Sequence, residues 1–293
     1  MKIDLHTHSN HSSCGDQTVK ELLDAAKDFG ITVLSLTDHD SVGGVEEAIA
    51  YGTEIGITVV PGIEISASTK EDVSTIPINS RVHVLGYNID YKNRLLQENY
   101  DALLPAKKRR AEQVVEHLKT KGYDLCFDEL PEYNELHIIR QLIKKGCCED
   151  RKAAKKIVRT DEIYTQYPEV RFTLKESVNL ILALGGLPVL AHAYRGANKV
   201  AYSDEQVLDL IRVMRGYGLA GVETHHYFHV DDNRIGKLLK ICKEYGLIPS
   251  IGSDHHSCKR VYEGISDYYL RTLVFDSVDI EFTAILKALK FLK

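Results

Sequence analysis

Residues 4–16 read DLHTHSNHSSCGD, three imidazoles within six positions immediately after a short apolar run. KIDL at 2–5 has the composition of a strand, and if the strand continues, His6 and His8 flank Thr7 and project from one face. Two imidazoles on one face can chelate one ion. The rest of the chain shows what such a strand belongs to. Outward from it, TVKELLDAAKDFG reads as an amphipathic helix, ITVLSLT as a second strand, 43–55 as a second helix and ITVVPGIEI as a third strand. The pattern resumes with LPVLAHA at 187–193, AGVETHH at 220–226, a helix around 231–245, LIPSIGSDHH at 247–256 and LRTLVF at 270–275. Parallel strands joined by helices make a doubly wound sheet or a barrel, and seven or eight such units in one chain favour the barrel.

Between Tyr91 and Leu180 the strand signals stop, and AKKRRAEQVVEHLKTKG, NELHIIRQLIKKG and RKAAKKIV read as charged helices. This predicts an α/β chain in two parts, with 1–91 and 181–293 forming the sheet and 92–180 an inserted helical cap. The insert holds 18 Lys and Arg against 15 Asp and Glu, about +3, which leaves about −8 of the total −5 for the remainder. A net charge of −5 argues against a protein that coats nucleic acid, though not against a site for a short anionic substrate. With 44% hydrophobic residues over 293 positions the chain can bury a large core. No apolar run near Met1 is long enough for a signal peptide or membrane span, so the expected location is cytoplasmic. Cys14, Cys126, Cys147, Cys148, Cys242 and Cys258 form no CxxC pair and are expected as reduced thiols.

The 13 histidines are the unusual feature, and their positions matter more than their number. SLTDHD supplies Asp38 and His39, PGIE supplies Glu64, VLAH supplies His192, and GSDHH supplies Asp254 and His256, each at or near a strand's carboxyl end. RVHVLGY adds His83 in a strand of its own. In a β/α barrel that end is where loops converge on the active site. A lone His or Asp at a strand end is more often a cap or a satisfied hydrogen-bonding residue. His6, His8, His39, Glu64, His83, His192, Asp254 and His256 together exceed the three or four protein ligands of one zinc-like ion, and suit two or three ions sharing carboxylates. Mixed imidazole and carboxylate points to Zn, Mn or Fe(II), and the lack of clustered thiolates argues against iron–sulfur or copper(I).

Six ordered stretches, DLHTHS, TDHD, PGIE, HVLGY, AHAYR and GSDHH, resemble the PHP (polymerase and histidinol phosphatase) family of metal-dependent phosphoesterases over 1–91 and 181–293. The resemblance implies a distorted (β/α)7 barrel with a trinuclear metal centre. It assigns His6, His8, Glu64 and Asp254 to one ion, Glu64, His83 and His192 to a second, and His39 and His256 to the third. The remaining ligand of the third ion comes from a loop that departs from the family pattern here, SNHSSCGDQT, with Asp16 assigned and His11 the fallback. Asp38 is expected to orient a ligand histidine, and Asp40 and His255 to serve local loop structure.

Metal ions beside a phosphate ester suit its hydrolysis by a metal-activated hydroxide. Arg195, three residues past His192, is expected to hold the phosphate, and His229 to meet the phosphate or protonate the leaving group, work for a group with pKa near 6–7. His225 and His226 compete for that role. NELHIIRQLI is similar to a stretch in the inserts of AMP- and oligonucleotide-directed relatives, so His137 and Arg140 are expected in substrate binding, with Arg109 and Arg110 as weaker candidates. The implied substrate is a nucleoside 3′,5′-bisphosphate, AMP or a short 5′-phosphorylated RNA, without a membrane or a stable nucleic-acid complex as partner. Histidinol-phosphate phosphatase, a barrel amidohydrolase and a metal-free scaffold are the rivals. The amidohydrolase would be favoured by a Lys at a ligand strand's end, which none offers, and the scaffold predicts ligand loss.

Overall fold

The computed structural model describes residues 2–12, 15–69, 73–77, 80–130, 133–196, 201–229, 233–256, 285 and 287–289. It is a mixed α/β fold of two compact units, one of 1–93 with 172–293 and one of Arg94–Arg171. The strand read from LRTLVF lies outside the described residues.

In the first unit β1 (Lys2–Thr7), α1 (Val19–Asp28), β2 (Ile31–Leu36), α2 (Val45–Ile55) and β3 (Thr58–Ser68) follow one another. Local chemistry sets the boundaries. Thr18 accepts from the Glu21 backbone N–H while the Glu21 carboxylate reaches back to the Thr18 N–H, a capping box that starts α1. Gly56 ends α2 at φ 82°, a left-handed angle that a residue with a Cβ resists. β4 (Arg81–Tyr87) completes this half. The second unit comprises α3 (Arg94–Thr120), α4 (Glu135–Lys144), α5 (Arg151–Val158) and α6 (Asp161–Gln166), packed around Val114, Val115, Leu118, Ile138, Leu142 and Val158. The chain then returns to the sheet through β5 (Phe172–Thr173), α7 (Leu174–Ala183), β6 (Leu187–Leu190), α8 (Asp204–Tyr217), β7 (Gly221–His225), α9 (Arg234–Tyr245) and β8 (Ile248–Ile251).

The return to the sheet comes earlier than the Leu180 read from the sequence. Phe172 and Thr173 pair with Ala67 and Ser68 of β3, and Leu174, Val178 and Ile181 of α7 are buried with the first unit. Two strand residues are too few for a period-2 pattern to show, so this segment reads as more insert.

The strand order is β1-β2-β3-β4-β6-β7-β8, with β5 beside β3. β1, β2 and β3 are parallel, as are β6, β7 and β8, but β4 runs antiparallel to both of its neighbours. The expectation of parallel strands fails at β4, where the 12 residues from 69 to 80 carry no helix in the described part and the chain turns straight back. The outer strands of the order meet at one parallel bridge, Thr7 to His255, where the His8 N–H donates to the His255 carbonyl over 2.8 Å. Ile3, Leu5, Val33, Val60, Leu85, Tyr87, Val189 and Ile251 form one apolar cluster with residues of most strands, while Leu22, Leu23 and Ala26 of α1 cover Leu34 and Leu36 of β2. Buried apolar residues on both faces of β2 are what a sheet covered by helices requires. No helix among the described residues is long and apolar enough to cross a membrane.

Strand spacing around β3 leaves no room at Gly62, where an added Cβ would overlap Ser35 Oγ and approach the Leu36 carbonyl oxygen to 2.9 Å. Gly62→Ala is therefore expected to lower unfolding free energy by about 1–3 kcal/mol through overpacking. A urea midpoint equal to that of the wild type would show that β2 and β3 separate freely.

Candidate metal centre

β3 places Val60, Gly62 and Glu64 on one face by its period-2 alternation, and Glu64 arrives fully buried at the level where its neighbours end. Five imidazoles converge on it. Oε2 lies 2.8 Å from His39 Nδ1, 3.2 Å from His8 Nε2 and 3.3 Å from His6 Nε2. Oε1 lies 2.8 Å from His83 Nδ1 and 3.3 Å from His192 Nε2. Asp254, just past β8, stands opposite, its Oδ1 3.4 Å from His6 Nε2 and 3.2 Å from His8 Nε2. His256 Nδ1 is 3.4 Å from the same oxygen.

Three groups bring ligand atoms within 4.8 Å of one another: His6, His8, Glu64 and Asp254; His39, Glu64 and His83; and His8, His39 and His256. His192 joins the second group through Glu64 and through His83 Nδ1, 3.2 Å away. Nε2 of His6 and of His8, with Oε2 of Glu64, are buried and make no hydrogen bond. Buried polar atoms are ordinarily satisfied, so several orphaned lone pairs aimed at one space fit metal ions, and the donor set suits zinc-like metals. Burial opposes ionisation of Glu64, yet His39, His83 and His6 hold its carboxyl well below the usual range. Asp254 is likewise held down against burial by His256, His6 and Arg195. The centre is built to keep both carboxylates charged.

The structure draws together eight of the nine residues expected as ligands and leaves Asp16 apart. Asp16 is exposed and belongs to none of the three groups, with its backbone N–H donating to the His256 carbonyl over 3.3 Å. Its loop is stitched closed by Asn10 N–H to Gln17 carbonyl at 2.7 Å and Gly15 N–H to Ser12 carbonyl at 3.2 Å, which turns the acid outward. His11 does not substitute for it, since its ring lies against Gly43 and Gly44. His8 instead completes the group with His39 and His256.

Asp38 has a different partner from the one expected. It accepts the Ser9 backbone N–H and the Ser9 hydroxyl, both at 2.7 Å, and so holds the loop after His8 and not a ligand ring. Ser12 does similar work, its Oγ accepting the His39 N–H at 2.7 Å and lying 3.2 Å from His8 Nδ1. Asp40 accepts the Ser66 N–H, and His255 Nε2 lies 2.6 Å from Gln17 Oε1. Two buried carboxylates were missed. Asp4 accepts the Ser253 N–H at 2.9 Å and its hydroxyl at 2.6 Å, and Glu223 accepts from His6 Nδ1 at 2.9 Å and from the His192 backbone N–H at 2.7 Å. A charged residue inside the apolar run of a strand, as in AGVETHH, is the signal that could have found Glu223.

Arg195 donates from Nη1 to Asp254 Oδ2 at 2.5 Å. His226 is buried, with Nε2 3.7 Å from that oxygen and Nδ1 accepting the Phe228 N–H at 3.1 Å. His229 is one ring further out, 5.5 Å from His226 between centroids. Its Nδ1 donates to the Thr224 carbonyl at 2.9 Å, and burial with His226 beside it lowers its pKa to about 3. With its Nδ1 proton held on a carbonyl, the neutral ring offers Nε2 as an acceptor. His137 and Arg140 lie on α4 of the second unit, where with Asp128, Glu129 and Lys144 they line a cavity of about 410 Å³, and Arg140 Nη1 is 3.2 Å from His137 Nε2. In the same unit Arg109 is exposed, and Arg110 is buried with its Nε donating to the Tyr167 carbonyl, which makes it part of that unit's packing.

The family model of the PHP domain matches residues 4–175. A 3′,5′-nucleoside bisphosphate phosphatase of Chromobacterium violaceum is 29% identical over 262 residues, which covers 87% of each chain. A 5′-3′ exoribonuclease of Haemophilus influenzae is 26% identical over 264 residues, 87% of this chain and 90% of that one. Among solved structures, a putative metal-dependent phosphoesterase from Bifidobacterium adolescentis superposes with a TM-score of 0.69 at 27% identity, over 95% of this chain and 97% of the other.

Asp254→Asn removes the charge and one oxygen of a carboxylate in the cluster and His83→Ala an imidazole, both outside the apolar clusters, so bound metal is expected to fall below half the wild-type content with far-UV circular dichroism unchanged. Wild-type metal content by elemental analysis would take the altered residue out of the centre.

Proposed function

The chain belongs to the PHP family and is a metal-dependent phosphoesterase, and we propose that it hydrolyses phosphate esters of nucleotides: a nucleoside 3′,5′-bisphosphate, AMP or a short 5′-phosphorylated RNA. The observation that carries the substrate class is the pair of relatives that match 87% of this chain, one named for nucleoside bisphosphates and one for RNA. The Thr7 to His255 bridge between the outer strands supports a distorted barrel as the scaffold.

His6, His8, Glu64 and Asp254, with His39, His83, His192 and His256, would hold two or three divalent ions of zinc, manganese or iron. When bound, such ions lower the pKa of a water toward neutrality and offset charge on phosphoryl oxygens. The chain's own residues do the rest. Arg195 spends one donor on Asp254 and has the remaining guanidinium donors for phosphoryl oxygens in a fixed planar fork. His226 is the hydrogen-bond donor to the leaving oxygen. Because its Nδ1 accepts the Phe228 N–H, the ring proton of the neutral form sits on Nε2, the atom turned toward Asp254. His229 carries its proton on Nδ1 against Thr224 and leaves Nε2 bare, which makes it an acceptor beside the donor.

Phosphate release from a panel of nucleoside 3′,5′-bisphosphate, AMP, 5′-phosphorylated oligonucleotide and histidinol phosphate, with manganese added, tests the substrate. Turnover of one of the first three is expected, and release from histidinol phosphate alone would overturn the assignment. His226→Gln is expected to lower kcat by about 10²–10³-fold with metal content retained, as loss of one hydrogen-bond donor to developing negative charge does. The same loss in His229→Gln with His226→Gln unaffected would reverse the two roles.

A further inference from the structure

We propose that Glu223 is the positioning residue that fixes the His6 imidazole with its Nε2 lone pair turned to the metal, an inference that rests on the metal-dependent function above. Glu223 is fully buried on β7 and divides its carboxylate between two donors, Oε1 to His6 Nδ1 at 2.9 Å and Oε2 to the His192 backbone N–H at 2.7 Å. A carboxylate only accepts, so the His6 ring must carry a proton on Nδ1. In the neutral, ligating form that leaves Nε2 bare. Nε2 is the buried atom without a hydrogen bond that lies between Glu64 Oε2 and Asp254 Oδ1. The chain also leaves room for this pair at Gly252, where an added Cβ would come within 2.5 Å of Glu223 Oε1 and overlap His6 Cβ.

The same carboxylate reaches a second ligand through the backbone. His192 has φ 27°, in the left-handed region, and its N–H has Glu223 as acceptor. One side chain of β7 thus sets the ring of a ligand on β1 and the main chain of a ligand after β6. Coordinating imidazoles commonly depend on such a carboxylate on their other nitrogen.

Glu223→Gln separates positioning from packing, because it preserves shape and alters only donor and acceptor character. Gln has one acceptor, which the His192 N–H claims, since a backbone N–H cannot reverse its role. Its amide NH₂ then faces His6 Nδ1, forces the proton to Nε2 and removes the ligand lone pair. Zinc and manganese titrations against a competing chelator are expected to show affinity about 10–100-fold weaker in Glu223→Gln than in wild type at an unchanged thermal midpoint. Glu223→Asp, which keeps two acceptors, should bind more tightly than the Gln variant. In zinc-saturated wild type, ¹⁵N spectra should show the His6 proton on Nδ1. A Gln-variant isotherm within twofold of wild type overturns the assignment while leaving the metal centre standing. Should the Gln variant not fold, the ¹⁵N spectra carry the test, and a His6 proton on Nε2 in zinc-saturated wild type overturns the assignment equally. Failure of wild type itself to take up either metal would sink the metal-dependent function, and this assignment with it.

Discussion

A carboxylate with no exposed surface, Glu64, sits where five imidazoles meet, and the order of the strands follows from the need to keep it charged. Taking such a group out of water costs several kcal/mol unless partners surround it. β3 is central in the sheet, with β1 and β2 on one side and β4 and β6 on the other, so His6, His8 and His39 approach one oxygen while His83 and His192 approach the second. The division is enforced by topology. It also explains the reversed strand: His83 lies near the start of β4, and antiparallel pairing, with His83 opposite Ser66, is what brings a strand's beginning to the end where the parallel strands finish.

Around this centre the loops are held by short polar side chains. Ser9 ties to Asp38, Ser12 bridges His8 and His39, Ser253 ties to Asp4, and Gln17 meets His255. These bonds join segments up to 249 positions apart in the sequence, and all but those of Ser12 fix a residue next to the cluster and not one of its members. Such an arrangement keeps the ligand atoms on rigid supports while leaving their lone pairs uncommitted. It is the property that a site loading metal after folding requires.

That difference decides what the sequence could disclose. The residues of the cluster were legible because His, Asp and Glu at the ends of otherwise apolar strands are chemically conspicuous, and a periodic β/α pattern says where those ends gather. The supports were not, because Ser9, Ser12 and Gln17 look like any polar loop text, and Asp38 beside His39 invites pairing with the wrong neighbour. Asp16 misled for a related reason. Counting along SNHSSCGDQT cannot show that Asn10 and Gln17 pair and turn the acid outward. Glu223 was missed since nothing in AGVETHH shows that its carboxylate meets a histidine on β1, and the boundary at Phe172 since two residues of strand carry no periodicity.

Two residues of the cluster also carry unusual backbone angles. His192 at φ 27° and Asp254 at φ 54° occupy a region that costs a residue with a Cβ about 1–3 kcal/mol, held only where surrounding bonds over-determine it. At His192 the bonds are Glu223 on its N–H and the Arg195 N–H on its carbonyl at 2.7 Å, a turn that carries the guanidinium back to Asp254. At Asp254 the preceding Ser253 is pinned by Asp4. The result is a carboxylate with two distinct sides. Oδ1 faces His6, His8 and His256, while Oδ2 faces Arg195 and His226. One rigid group therefore sets the distance between the imidazole cluster and the Arg195 and His226 side chains beyond it, so any shift of Asp254 must disturb both together.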